Sequence, residues 1–459
     1  MKRILKYVLS KTTAVNPVLR AAVLLGVFTL AGCKASDRGE LLSGVEGREV
    51  WFHPAPIGMI YVPSGTIHTG GSEQDVFNSF LMPNKQVTIT AFWMDETEIT
   101  NNEYRKFIYW VIDSIARYMV DEDNLFSEDD VGNRYINYDE DLDWELYNEE
   151  LEDMFYPEDE RFYGEKQIDT RRLFYDYMWI DYKEAARIDR DKYNPMNRRQ
   201  FIKKEKTLVY PDTLAFVRDF TYSYNEPMTR HYFSHVKYDD YPVVGVNWHQ
   251  AKAFCNWRTR YKAKYWREIE APPTEDFRLP HEYEWEYAAR GGRDANIYPW
   301  GGPYTRNSKG CMLANFKPLR GNYGADGGVY PVRSDAYFPN DYGLYNMSGN
   351  VAEWTATTYA EAAASFIHDL NPAYETSIDE YVKNTKSDPG ADVWTQSTFT
   401  QEKSPITIKR KVIRGGSWKD IAHFIECGAR TYEYQDTSKC YVGFRTIQSY
   451  IGRSNKDKK

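Results

Sequence analysis

The chain has 459 residues, of which 42% are hydrophobic and 16% aromatic, including 38 Tyr and 13 Trp. This composition is typical of a globular protein with a sizeable core and excludes a disordered chain. The formal net charge of -9 and the pI near 5.6 leave no overall basic field, so nucleic acid is not expected as a partner.

The first residues predict an exported lipoprotein. A positively charged start precedes the apolar run AAVLLGVFTLAG, which is too short to span a membrane and is typical of a secretory signal. The run ends in LAGC, whose last residue is Cys33, and it resembles the bacterial lipobox, in which the Cys becomes the lipid-modified first residue. We therefore expect a signal peptide at 1–32, lipidation of Cys33 and a polar tether at 33–49. The alternative is an ordinary signal peptide with a Cys near its cleavage site.

Short strands and a helix are predicted after Gly58. Apolar residues alternate around Gly and Pro in GMIYVPSGTIHTGG and QVTITAFWMD, and TNNEYRKFIYWV has a capping residue ahead of a helical apolar spacing. An extended piece that enters an amphipathic helix recurs at 241–261 and 277–292. From 298 to 445, turn residues are frequent and long periodic runs are few, which indicates a compact region with little regular secondary structure.

Beyond Cys33 the chain contains four further cysteines, Cys255, Cys311, Cys427 and Cys440. Disulfides persist in an export compartment, and four cysteines allow three pairings. Buried free thiols and one or two disulfides are both compatible with the sequence.

Eight segments occur in order between about residues 58 and 446. They are GMIYVPSGT, DETEITNNEYRKF, PVVGVNW, RLPHEYEWEYAARGG, YPWG, NDYGLYNMSGNVAEWT, RGGSW and GFR. In these segments the chain resembles the sulfatase-modifying, formylglycine-generating enzyme family. The resemblance implies an α+β fold, distantly like C-type lectins and poor in regular structure, at 50–450. A large insertion at about 111–239 interrupts it, and a polar basic tail follows at 451–459.

The insertion has two blocks of opposite charge. Residues 121–160 hold 18 Asp or Glu and one Arg, whereas residues 161–210 hold 13 Lys or Arg and 8 acidic residues. A solvated loop with internal charge pairing is one interpretation. Aromatic runs such as FYDYMWIDY favour an ordered appendage with an interaction surface, because aromatics and Arg dominate protein interfaces.

Active members of the family carry two cysteines, separated by four residues, that follow a Gly-Gly-Ser motif, bind copper and activate oxygen. Here the first position falls on Asp420, and SWKDIAHFIE at 417–426 contains no Cys. Cys427 lies two positions beyond the second expected position. Copper(I) chemistry needs the soft thiolate pair, so we expect no copper and no formylglycine-generating activity. The sequence contains no metalloprotease, nucleophile-elbow, P-loop or dinucleotide motif.

The resemblance also implies two closed, structural calcium sites made of hard oxygen donors. The ligands of the first would be the Asn346 side chain, the Gly349 and Val351 carbonyls and the Glu353 side chain. The ligands of the second would be the Asn315 side chain, the Phe316 carbonyl, the Asp326 side chain and the Gly328 carbonyl. The alternative is that these side chains close backbone turns without a metal.

A narrower resemblance lies in the segment YPDTLAFVRDFTYSYNEPMTRHYFSHVKYDDYPVVGVNW, which is similar to the K-type gliding-motility lipoproteins of the type IX secretion system. It implies a non-catalytic, lipid-anchored protein of the outer membrane, facing the periplasm. Such a protein would self-associate into a ring with a periplasmic partner protein. The alternatives are the related J-type gliding lipoproteins and a calcium-stabilised module that binds glycan or peptidoglycan.

Overall fold

Short strands and a few helices alternate along the computed structural model, which describes residues 53–71, 83–128, 132, 134–182, 185–186, 198–221, 226–318, 322–365, 367–375 and 409–452. The strands are β1 (Met59–Val62), β2 (Gly65–Thr69), β3 (Lys85–Ile89), β4 (Phe92–Asp95), β5 (Phe126–Glu128), β6 (Arg134–Ile136), β7 (Phe174–Ile180), β8 (Ile202–Leu208), β9 (Phe277–Arg278), β10 (Ala352–Thr358), β11 (Arg410–Arg414), β12 (Thr431–Tyr434), β13 (Val442–Gly443) and β14 (Ile447–Ser449). The helices are α1 (Asn101–Val120), α2 (Ala215–Asp219), α3 (Met228–His231), α4 (Trp248–Glu268) and α5 (Glu282–Arg290).

The predicted signal peptide, the lipidation site Cys33, the tether and all but the first two residues of the tail lie outside the described residues. Within the described ranges, no helix combines the length and the apolar content that crossing a bilayer requires.

Two four-stranded sheets form the frame of the unit His53–Ile451. The first has the order β1-β4-β14-β9 with antiparallel neighbours, so that its third strand comes from the end of the chain. The second has the order β12-β11-β10-β13, with one parallel pair between β10 and β13. All seven residues of β10 are buried, which places this strand in the interior.

Helix α1 begins where the sequence predicts it. Thr100 and Glu103 form a capping box, in which each side chain bonds the backbone N–H of the other. The buried Tyr104, Phe107 and Val111 lie on one face at helical spacing. Helix α4 packs against this face, since the rings of Phe107 and Phe254 are 5.8 Å apart.

The insertion differs from a detached loop because its first residues prolong α1, which ends at Val120, with the following Asp121 in a left-handed conformation. An apolar cluster then covers the end of α1. Its buried members are Ala116, Leu125, Phe126, Leu142, Leu151 and Met154. The acidic block is thus attached to the core by its own apolar residues.

Strands β7 and β8 form a hairpin whose two faces have different surroundings. On one face, the buried Tyr175 and Tyr177 belong to the main core cluster, and the Tyr175 ring is 5.5 Å from that of Phe107. On the opposite face, five large apolar side chains are each 38% to 49% exposed. They are Phe174, Met178, Ile180, Ile202 and Leu208.

The four cysteines beyond Cys33 are free thiols. Cys255, Cys427 and Cys440 are buried, and Cys311 is exposed. Of the two possibilities that the sequence left open, the structure therefore shows free thiols rather than disulfides.

Candidate functional site

The loop after β11 occupies the place where the family's reactive cysteines would lie. Asp420 replaces the first of them, and its carboxylate accepts hydrogen bonds from the backbone N–H of Ser417 at 3.0 Å and from the Ser417 hydroxyl at 2.5 Å. Ile425, at the second position, is fully buried in an apolar cluster with Tyr298 and Phe316. One position therefore closes a turn and the other fills a core, and neither offers a soft ligand.

Cys427 does not compensate for the missing thiols. It is fully buried, and burial raises the pKa of its thiol to about 12. A thiol of this kind stays protonated at neutral pH and is a poor nucleophile and a poor metal ligand. The neighbouring His423 is partly exposed, with its Nδ1 3.6 Å from Glu426. The residues of this loop do not fit copper.

The same loop is fixed to the two segments that carry the predicted calcium ligands. The N–H of Gly349 donates to the Gly415 carbonyl at 2.9 Å, and the N–H of Lys317 donates to the Asp420 carbonyl at 2.8 Å. The N–H of Asn350 donates to the Asn315 carbonyl at 2.8 Å, which joins the two predicted calcium segments to each other. Gly349 allows this contact, because a Cβ there would lie 2.2 Å from the Asn315 carbonyl oxygen.

The structure brings the second predicted set of calcium ligands together. Asn315 and Phe316 are adjacent, and the Asp326 carboxylate accepts the N–H of Phe316 at 2.7 Å and that of Gly328 at 3.2 Å. The Asn315 Oδ1 atom is buried and accepts no hydrogen bond from the described residues. A buried acceptor without a donor costs free energy, and a cation would remove that cost. This donor set therefore fits calcium.

The first predicted set has different surroundings. The Glu353 carboxylate is buried and accepts hydrogen bonds from Trp285 Nε1 at 2.7 Å and from Arg445 Nε at 2.8 Å and 2.9 Å. Arg445 neutralises this carboxylate, and few of its lone pairs remain for a cation. The Asn346 amide donates to the Ser334 carbonyl at 2.9 Å and to Glu98 at 3.2 Å. The donor set at Asn315 thus fits calcium better than the set at Asn346.

Sequence reasoning did not single out the buried Glu98, although it lies within the motif DETEITNNEYRKF. Its carboxylate accepts from the side-chain amides of Asn346 and Asn350 at 3.2 Å and 3.1 Å. Burial raises the pKa of Glu98 to about 8, although nearby Arg445 opposes the shift. An acidic residue two positions before the helix cap Thr100 was the available signal, but only the fold shows that it meets residues some 250 positions away.

The sheets, the helices and the long irregular region define an α+β protein of the formylglycine-generating-enzyme type. The chain belongs to the family of the sulfatase-modifying factor enzyme 1-like domain, since the model of that family matches residues 53–450. The fold that the sequence motifs predicted is thereby confirmed.

The relatives include proteins named formylglycine-generating enzymes and proteins whose name describes them as inactive. The inactive C-alpha-formylglycine-generating enzyme 2 of Bos taurus is 41% identical over 127 residues, 27% of this chain and 35% of that protein. The formylglycine-generating enzyme of Mus musculus is 32% identical over 220 residues, 46% of this chain and 45% of that protein. The chain thus spans less than two thirds of these relatives. The structure of PvdO from Pseudomonas aeruginosa matches with a TM-score of 0.43 and 14% identity, over 85% of this chain and 94% of that one.

Proposed function

We propose that this protein is a non-catalytic outer-membrane lipoprotein of the K type, which helps to form the periplasmic ring of the type IX secretion and gliding machinery. One observation carries the non-catalytic part of the proposal. At the two reactive positions, the Asp420 side chain closes a turn and the Ile425 side chain packs in an apolar cluster. A relative whose name describes it as inactive supports the idea that a protein with this fold can have a role that is not catalytic.

The lipid anchor and the location rest on the sequence. The LAGC motif places a lipid-modifiable Cys33 directly after an apolar signal, and several acyl chains hold a protein stably at a membrane. Lys34 follows the Cys, so that the Asp often linked with inner-membrane retention is not at that position. We infer an outer-membrane anchor with the folded unit in the periplasm.

The exposed face of the β7–β8 hairpin is the surface that we assign to the periplasmic partner protein. Met178, Ile180 and Ile202 lie on this face, and each is at least 38% exposed. Lys204 lies opposite Met178 and Lys206 opposite Asp176, so that the middle of this face carries two cations and one carboxylate. Apolar side chains beside cations are typical of a specific protein interface, in which charge sets the register and apolar contacts supply affinity.

Calcium has a structural part in this proposal. Asn315 and Asp326 would hold the ion beside the loop that contains Asp420, and the ion would supply charge that offsets the buried carboxylate of Asp326. Burial raises the pKa of the Asp326 carboxyl. A rigid loop cluster would keep the whole unit in one shape for assembly.

An activity assay tests the non-catalytic part. Copper-treated protein should leave the Cys of a sulfatase-motif peptide unchanged, because neither Asp420 nor Ile425 provides a thiolate. Peptide mass spectrometry would detect the conversion, with an active formylglycine-generating enzyme as the positive control. Turnover above the level of a buffer control would refute this part of the proposal.

A pull-down from membranes in mild detergent, followed by electron microscopy, tests the assembly. Wild-type protein should recover the periplasmic partner in ring-shaped particles, and Met178→Lys should recover much less of it. Phe338→Lys is the matched control, because Phe338 is 87% exposed but lies outside the insertion. Cys33→Ser should leave the membrane fraction unless the partner retains it. Equal recovery with both Lys variants would show that the hairpin does not bind the partner.

A further inference from the structure

A cleft separates α1 from the C-terminal half of α4, and β6 and β7 of the insertion close it on a third side. Its volume is about 860 Å³, which is large enough for several side chains. The walls are aromatic. Trp110 lies with its ring 5.8 Å from Tyr175 and 6.5 Å from Tyr138, and all three line the cleft.

The rim of this cleft is positively charged. Arg260, Lys264 and Arg267 follow one another along one face of α4 and line it, together with Arg134. The only acidic residues among those that line it are Asp176 and Glu268.

These cations are poorly neutralised. Among the described carboxylates, none forms an ion pair with Arg260 or Arg267, and the nearest to Lys264 is that of Glu268 at 3.9 Å. In contrast, Arg134 is already paired with Asp121 at 2.6 Å. A ligand with carboxylates and an apolar anchor would satisfy both the rim and the aromatic walls.

The chain itself displays such a ligand. Residues 139–150, DEDLDWELYNEE, form an acidic strip in which Trp144 is 36% and Leu146 is 69% exposed. Within the described structure, Asp141, Glu145 and Glu149 make no side-chain hydrogen bond or ion pair. The carboxylates of the strip complement the cations of the rim, and its exposed apolar side chains complement the aromatic walls of the cleft.

In the structure, none of residues 139–150 lines the cleft of its own chain. It begins directly after Tyr138, which lines the cleft, and the buried Leu142 and Leu151 hold it near both ends against the apolar cluster on α1. A segment fixed in this way presents its charges outwards. A second molecule can present its strip to this cleft without releasing the buried Leu142 and Leu151.

We infer that the acidic strip of one copy docks into the basic aromatic cleft of a second copy of this chain. Trp144 would insert between the aromatic walls, and the carboxylates of Asp141 and Glu145 would face Arg260 and Arg267. This contact gives a physical basis for self-association, and it rests on the proposed function for its place in a ring. Phe174 and Asp176, at one end of the hairpin face assigned to the periplasmic partner, line the cleft, whereas Met178, Ile180 and Ile202 of that face do not and stay available.

Charge reversal tests the inference, with the full mature chain in mild detergent and light scattering as the measure of association. Wild-type protein should associate as its concentration rises. The cleft variant Arg260→Glu/Arg267→Glu and the strip variant Asp141→Lys/Glu145→Lys should each weaken self-association at least about tenfold. An equimolar mixture of the two should associate again, because the reversed strip then meets the reversed cleft. All four residues are exposed, so thermal melts should match the wild type.

The outcomes separate the possibilities. Association of either variant at wild-type strength, or failure of the mixture to associate, would overturn the inference. If a variant misfolds, the salt dependence of wild-type association decides, since a charged contact must weaken between about 0.05 M and 0.5 M salt. A wild-type protein that stays monomeric alone but is recovered in rings with its partner would refute this contact and leave the proposed function standing. Association through the cleft combined with turnover of a sulfatase peptide would refute the proposed function alone.

Discussion

The family core contains fully buried ion pairs, whereas most ion pairs of the insertion have an exposed partner. In the core, Arg445 and Glu353 form an ion pair whose side chains are 0% and 1% exposed, and Arg414 pairs with Glu286 at 0% and 1%. In the insertion, the pair of Arg171 and Glu160 is 58% and 47% exposed. Buried pairs fix a geometry because neither partner can move without leaving an unpaired charge. Exposed charges stabilise little and remain free to meet another molecule.

The largest effect should come from removing the acidic block. Replacement of residues 121–160 with a short Gly/Ser linker should abolish association and effector secretion, because the strip and its apolar support are lost. The core should still melt cooperatively, since both four-stranded sheets lie outside the block. The melting temperature should fall, because Ala116 loses the apolar side chains that pack against it in this cluster.

A linker of equal length that keeps the acidic residues but scrambles their order serves as the control for chain length. Normal assembly and secretion by the deletion variant would place the interface on the core domain.

The second effect sharpens the difference between the two kinds of ion pair. Glu353→Ala should destabilise the protein by about 3–5 kcal/mol, because Arg445 is left buried without its partner. The matched exposed change, Glu160→Ala, should leave the melting temperature unchanged within error. Chemical denaturation of both variants with calcium held constant gives the comparison. Similar losses in the two variants would contradict the distinction.

The third effect concerns calcium at the Asn315 set. A ligand at 100 times its Kd stabilises the folded state by about 2.7 kcal/mol, so chelation should lower the melting temperature. Asp326→Asn should remove most of this response while leaving the fold intact. Melts with and without chelator provide the test, with Asp335→Asn, an exposed acidic residue nearby, as the control. A wild-type melting temperature that is the same with and without chelator would show that calcium does not stabilise this fold.

The smallest effect belongs to Lys411, a buried core charge that forms no ion pair with the described carboxylates. Burial lowers the pKa of Lys411 to about 8, and its Nζ donates to Thr358 Oγ1 at 3.1 Å. Below pH 8 the folded and unfolded states both bind the proton, and the cost of the buried charge is fully present. As the pH rises, the folded state loses the proton first, so the wild type should gain about 1 kcal/mol between pH 7.5 and 9.

Lys411→Met should not show that gain, and the difference between the two proteins at each pH isolates this residue from other groups. Parallel stability curves for the two proteins would mean that Lys411 titrates normally.

The sequence predicts the parts of this molecule whose signals are local. The Thr100 capping box and the altered Gly-Gly-Ser loop are both readable within a few residues. The contact between Arg445 and Glu353 spans 92 positions, and no local pattern indicates it. The extent of α1 was also hidden, because no Gly or Pro marks its end and the acidic block follows Val120 directly. The alternation of Tyr175, Tyr177 and Trp179 was a readable strand signal.

The position of β14 has a consequence for the biosynthesis of this protein. Strand β14 lies between β4 and β9, and about 350 residues separate it from β4 along the chain. At a translation rate of about 5–20 residues per second, β14 is synthesised roughly 20 to 70 s after β4. The first sheet therefore stays incomplete until almost the entire polypeptide has been made. For a protein exported as we propose, a nascent chain in that condition stays unfolded long enough for an export channel to engage it.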